Sequence, residues 1–217
     1  AGAPARAGVF RFADDRVTVE IFDGVGATLA GQPVRAAELR PAGDGRPADA
    51  VVLGNLTLFV HKSGDRYAIR LRDKNSELRR TFRGLRWYPV RAEYRIAGRF
   101  EPYDAPRERH VPNILGDAER YVANGLVVFE LNGQEYRLEA FESSGPSGRR
   151  LFFVFRDTTS GKETYGAARF LYADPPADGS VVLDFNKAYN PPCAFNQYTT
   201  CPLPPPQNVL PARIEAG

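Results

Sequence analysis

The sequence predicts an all-β protein, an antiparallel sandwich or barrel-like domain with little helix, closed by a long Pro-rich strap near its C-terminus. Three observations carry this. Apolar–polar alternations of roughly four to eight residues recur about every 8–12 residues, each bounded by turn residues. No stretch sustains the period of a helix. Twenty Gly and 18 Pro, with 14 Phe and 10 Tyr, favour strands and turns over helices. The 217 residues suffice for one sizeable core. We therefore expect a flexible tail over 1–8 and a single all-β domain over 9–217, divisible into lobes 9–88 and 89–217.

Taken in order, Val17–Phe22 alternates and ends at Asp23-Gly24, as a strand before a turn does. Short strands follow around Val25–Leu29 and Arg35–Arg40, then a loop over 41–47. Leu56–His61 and Arg66–Leu71, joined by Lys62-Ser63-Gly64-Asp65, form the clearest hairpin. Leu56, Leu58, Val60, Tyr67, Ile69 and Leu71 share one face of it, and Thr57, His61, Arg66, Arg70 and Arg72 the other. Lys74–Arg83 holds one helical turn with Ser76 as N-cap. Tyr94–Phe100 is a strand, and 101–112, charged and punctuated by proline, is a connection. A strand is expected at Val111, Ile114 and Leu115, and others at Glu119–Val122 and Leu126–Leu131. Asn132-Gly133 is a type I′ turn signal, and Gln134–Phe141 returns from it. A loop over 143–149 precedes the apolar strand Leu151–Phe155, and Asp157–Gly161 is a turn. Strands at Tyr165–Leu171, Val181–Phe185 and Ala212–Glu215 complete the set.

Charge narrows the functional classes. With 29 basic and 26 acidic side chains, the net charge of +3 gives no basic excess of the kind nucleic acid requires. The most basic series is Arg66, Arg70, Arg72, Arg79, Arg80, Arg83 and Arg86, which reads as a solvated face or as an anion patch. No apolar run approaches the ~20 residues of a bilayer span, so membrane insertion is not expected. No signal-peptide core is visible, and the expectation is a soluble, cytoplasmic protein, with a processed leader or a secreted form left open. There is no methionine, so the chain is not expected to begin at its own start codon. Phosphate-loop, HExxH, G-x-S-x-G and dinucleotide motifs are missing, and no cofactor is expected.

The strap runs from Asp184 to Pro206 and holds both cysteines. Pro191-Pro192 and Pro204–Pro206 forbid regular pairing and hold the backbone extended. Tyr189, Phe195, Tyr198 and Leu203 give it apolar surface to bury, so it is read as ordered and packed on the body. Cys193 and Cys201 have three readings: packed thiols, a disulfide that fixes the strap, or zinc ligands completed by His61 and His110. No metal is assigned.

The stretches GLRWYPV (84–90), FRDTTSGKETYGAARFL (155–171), DFNKAYNPPCAF (184–195) and CPLPPPQNVLPARIEAG (201–217) resemble a bacterial and archaeal family, the domain of unknown function DUF1684. LGNLTLFVHKSGDRYAIRLRD (53–73) resembles it more loosely. Ala167-Ala168 departs from the glycine the resemblance leads one to expect there, and the longer helical leader that some relatives carry is not expected here. The resemblance brings no activity with it.

Two of these motifs supply the candidate site. A pocket formed by the 157–169 and 184–193 loops would bring together Glu163 and Asp184 as acid–base carboxylates, with Arg169, Tyr165, Asn186, Lys187, Tyr189 and Asn190 as ligand contacts. This presupposes that 165–171 and 181–185 pair. A plainer reading makes Asp157–Gly161 simple turn chemistry and Arg169–Asp184 a cross-strand ion pair. Trp87, Tyr88, Tyr189 and Tyr198 are candidates for stacking on a planar ligand. Three functions stay open: binding of a small polar or anionic molecule, a cofactor-independent hydrolase or lyase using the same cluster, and a structural or interaction protein.

Overall fold

In a computed structural model, residues 3–217 are described apart from 44, 115, 146 and 147. Parts of the expected tail, of the 41–47 and 143–149 loops, and Leu115 of an expected strand thus lie outside the described residues. The described structure is all-β and antiparallel, with three sheets and little helix. It divides into two compact units, Ala1–Arg83 and Gly84–Gly217.

The first unit contains two sheets. β1 (Gly8–Ala13), β2 (Arg16–Ile21) and β5 (Ala36–Leu39) make the smaller one. Sequence reading missed β1, because its turn lacks glycine: Asp14 and Asp15 adopt φ of 51° and 59°. In the segment expected as a tail, the Ala7 carbonyl accepts from Phe22 N, and Ala3 and Ala7 rest on the core. The larger sheet has the order β4-β3-β6-β7-β8, from β3 (Thr28–Leu29), β4 (Gln32–Pro33), β6 (Ala50–Leu53), β7 (Leu56–Ser63) and β8 (Arg66–Asp73). The β7–β8 hairpin has the expected faces, with Val60 opposite Ile69 and Phe59 opposite Arg70. Val17, Val19, Leu39, Val51 and Val60 form the core between these strands. α1 (Glu77–Thr81) follows, and the Ser76 hydroxyl accepts from Arg79 N at 3.3 Å, the expected cap.

The second unit is one sheet of order β13-β12-β11-β10-β9-β14. Its centre corrects the sequence reading. Residues 101–112 are not a connection: β9 runs unbroken over Arg95–Pro112, against β10 (Ala118–Leu131). Between the pairs Ala123↔Arg107 and Gly125↔Pro102, β9 carries the extra residues, a bulge that houses Pro106 and is bounded by Pro102. Gly125 is required there, since a Cβ would strike the Glu101 carbonyl. The turn at Asn132-Gly133 has the expected positive φ at both residues, 54° and 75°. β11 (Gln134–Gly145), β12 (Gly148–Phe155) and β13 (Arg169–Ala173) follow. β14 (Ser180–Asp184) pairs with β9, not with β13. The premise that 165–171 and 181–185 are paired strands is therefore wrong: β13 and β14 are the two edges of the sheet, brought near each other because it curls.

The concave face holds Phe129, Leu138, Phe153, Phe155, Leu171 and Leu183. Leu210, Ala212, Ile214 and Ala216 complete that core. The alternation read at Ala212–Glu215 is thus real, but the segment is an extended plug, not a strand. On the opposite face Phe141, Phe152, Val154 and Phe170 pack against the strap.

Cys193 and Cys201 form a disulfide within that strap. Leu203 N donates to the Pro112 carbonyl at 2.8 Å, and Ile114 N to that of Cys201 at 3.2 Å, so the strap lies along the end of β9. Phe170 and Tyr189 exchange two backbone bonds of 2.9 and 3.0 Å, fixing its start to β13. Tyr198, expected to be buried, is 78% exposed.

Candidate functional site

A pocket of about 400 Å³ opens in the second unit. The stretch Gly84–Tyr88 gives one wall. Glu163 and Thr164, from the turn after β12, and Arg169, at the start of β13, give another. The strap adds Ala188, Tyr189, Asn190 and Phe195, and Gly217 closes the lining. Glycine is needed at 217, where φ is +87° and a Cβ would strike the Ala188 carbonyl.

Of the sequence candidates, Glu163, Arg169, Tyr189 and Asn190 meet here. Tyr165, Asp184, Asn186 and Lys187 are not among the lining residues. Asn186 exchanges hydrogen bonds with the backbone of Arg91, accepting from its N–H at 3.0 Å and donating to its carbonyl at 2.9 Å. Asp184 accepts from the Asn186 amide at 3.0 Å and pairs with Lys187 at 3.7 Å. This trio anchors the end of β14 to the residues that lead into β9. Tyr165 N donates to the Asn190 side chain at 3.4 Å, which ties the two loops together.

Arg169 pairs with Asp157 at 3.1 Å, not with Asp184, and both side chains are almost wholly buried. Its Nη1 donates to the Ala216 carbonyl at 2.6 Å and Nη2 to that of Ile214 at 3.1 Å, and the guanidinium lies over the Phe155 ring. Nε is buried with no partner. Asp157 in turn accepts from Ile214 N at 2.8 Å and from the Thr159 hydroxyl at 2.7 Å. Burial lowers the Arg169 pKa, and the Asp157 charge opposes that shift. The pair fastens the C-terminal plug to the 157–164 turn. Losing either partner would strand a buried charge, at a cost of about 3–5 kcal/mol. Sequence reading saw turn chemistry at Asp157 and a ligand contact in Arg169. The structure makes them one buried pin.

Glu163 has a different setting. Tyr88 donates its hydroxyl to the carboxylate at 2.8 Å, and Arg213 reaches it at 2.8 Å while also bonding Glu215 at 2.7 Å. Hydrogen bonds from Arg213 and then Tyr88 hold the Glu163 pKa below its ordinary value. Burial, and next the Glu163 bond, push the Tyr88 phenol up to about 12. Tyr189 is also pushed up to about 12, mainly by burial. At neutral pH the wall therefore presents an ionised carboxylate already countered by Arg213, and phenols that keep their protons.

Arg86 is exposed and, among the described residues, has no acidic partner. Leu85, Trp87 and Phe195 are apolar yet 44%, 54% and 42% exposed around it. Sequence reading singled out Trp87 and Tyr88, but it saw Arg86 only as one of a basic series and missed Phe195 and Arg213 as site residues. Tyr198, the remaining stacking candidate, is not part of the lining.

A family model described as "Protein of unknown function (DUF1684)" matches residues 80–217. No curated protein matches the chain. A solution NMR structure of an uncharacterized protein from Haloarcula marismortui is similar at 32% identity and a TM-score of 0.52, covering 64% of this chain and 77% of that one. The stretches that first suggested the family fall mostly within 80–217, and the chain belongs to DUF1684.

Proposed function

We propose that the chain binds a small anionic molecule with an apolar or planar body in the pocket of its second unit. The observation that carries this is the charge balance of the lining. Glu163 is neutralised by Arg213 and Arg169 by Asp157, which leaves Arg86 as the uncompensated side-chain charge among the described lining residues. Trp87, Phe195 and Leu85 offer exposed apolar surface beside it. Sites for small ligands combine such walls with a few polar groups. The Asn190 side chain adds hydrogen bonding at the junction of the two loops.

The hydrolase or lyase reading has less support. A carboxylate held ionised by an arginine is a weak general base near neutrality, and Asp184 lies outside the lining. Thermal shift over small carboxylates and phosphates, each beside its neutral amide or alcohol, tests the proposal. The anions should stabilise, by about 2.7 kcal/mol at 100 times the dissociation constant. Arg86→Ala and Trp87→Ala should each weaken binding roughly tenfold, about 1.4 kcal/mol. Equal response to the neutral partners, or unchanged affinity in both variants, would sink it. Turnover of a bound compound that Glu163→Gln abolishes would favour the enzyme instead.

The compartment is part of this reading. The sequence favours the cytoplasm but leaves a secreted form open, and disulfides persist mainly in oxidising compartments, so Cys193–Cys201 favours an exported protein. Two titratable thiols in the unfolded, unreduced chain would reverse that preference. No described helix is long and apolar enough to cross a membrane.

A further inference from the structure

We propose that strand β8 of the first unit is a docking edge for an extended acidic segment of a partner protein, added as a further strand. β8 ends its sheet: β7 pairs with one side of it, and no described strand pairs with the other. An open edge presents backbone donors and acceptors to an incoming strand. Its two faces then specify what that strand must carry.

Arg66, Arg70 and Arg72 share one face, opposite Ser63, Phe59 and Thr57 of β7. Arg70 contacts the His61 ring nitrogen at 3.3 Å, and Arg72 lies over the Phe59 ring at 4.8 Å. Neither contact supplies negative charge. Lys74, Arg79, Arg80 and Arg83 follow directly, and these four, like Arg70 and Arg72, have no carboxylate within ion-pair distance among the described residues. Elsewhere the arginines mostly have acidic partners, as at Arg11, Arg40, Arg99, Arg120, Arg137 and Arg213. Positive charge is concentrated along β8 and the residues that follow it in sequence.

The other face continues the core side of the sheet. Ile69 stands opposite the buried Val60, and Leu71 opposite Leu58, yet they are 36% and 56% exposed. An incoming strand that alternates apolar with acidic residues would cover Ile69 and Leu71 with one set and meet Arg70 and Arg72 with the other. A second copy of this chain fits poorly. Antiparallel β8–β8 pairing centred on Ile69 sets Arg66 against Arg72, and centred on Arg70 it sets Arg70 against itself. The exposed aliphatic face argues for a strand over a bare polyanion, which needs only the charge.

A labelled peptide of alternating valine and glutamate, titrated into the full chain by fluorescence anisotropy, tests this. A peptide of the same composition with its valines and glutamates in two blocks is the control. We expect saturable binding of the alternating peptide, at least roughly tenfold weaker binding of the block peptide, and a similar loss in Arg70→Glu/Arg72→Glu. Leu71→Ser, at an exposed position, should also weaken binding, and it guards against misfolding of the double variant. Bound peptide should slow amide exchange in β8. Equal binding of both peptides would overturn the proposal, because charge alone would then suffice. Tighter binding of single-stranded DNA or phosphatidylserine vesicles than of the alternating peptide would overturn it too. Failure of the alternating peptide to bind would mean that the arginines only guard the edge against self-pairing.

Discussion

At Glu163 three side chains from distant parts of the second unit converge, and their protons set the pH range of the site. The Glu163 pKa is lowered by Arg213 and Tyr88, so its stabilising contribution is complete above the ordinary value of 4.5 and is lost as pH falls below it. Tyr88 runs the other way. Raised from 10.0 to about 12, it stabilises fully below pH 10 and ceases to as pH climbs through 12. The wall is intact between these limits. Denaturant midpoints from pH 7 down to 3 should therefore fall less steeply for Glu163→Gln than for the unaltered chain. Asp49, held low by Arg40 in the first unit, supplies a similar acid-side loss that the variant leaves in place. Parallel curves would show that Glu163 is not tied down by its neighbours. The residue types of this site were legible in the sequence, because TTSGKETYG and NKAYNPPC are dense in polar groups without strand alternation. Their partners were not. Nothing local says that Asp157 meets Arg169 rather than Asp184 taking it, since that depends on which strands form the two edges of the curled sheet.

At the scale of elements, strand alternation was legible wherever turn chemistry marked the ends, as at Asn132-Gly133, and failed where a strand bends. From sequence alone β9 reads as a strand plus a connection because prolines normally stop a strand, whereas here a bulge next to Pro102 takes up Pro106. Asn208 shows a second limit. It sits in a short 3-10 turn (Pro206–Asn208) with no motif to announce it, yet it is completely buried between two strands. Its Oδ1 accepts from Glu139 N at 2.7 Å, and Nδ2 donates to the carbonyls of Glu139 and Val154, both at 3.0 Å. Pairing between β11 and β12 begins only at Phe141↔Phe152, so this side chain takes the place of a missing rung. Asn208→Ala would leave three buried backbone groups unsatisfied and should cost roughly 3–4 kcal/mol in urea unfolding. Gln197→Ala, at an exposed strap position, is the control and should cost little. A loss below about 1 kcal/mol at Asn208 would mean that β11 and β12 close the gap themselves.

Over the whole molecule, the two proposed sites fall in different units, and each unit is internally complete. The core of the first draws on residues from Val17 to Val60, and both cores of the second on residues from Tyr94 onward. No sheet has strands from both units. The family match begins at residue 80, close to the division at Arg83/Gly84. We therefore expect residues 84–217 to fold alone, with dispersed amide resonances and one cooperative unfolding transition, since folding units carry their own hydrophobic core. That fragment contains every lining residue of the pocket and none of β8. It should bind the pocket's anions with the affinity of the full chain and show no binding of the alternating acidic peptide. A fragment that folds yet loses the anions would place part of the small-molecule site in the first unit. A fragment that folds and still binds the peptide would remove β8 as its docking edge. An unfolded fragment would show that the second unit requires the first, and that the family's shared region is not by itself the folding unit in this chain.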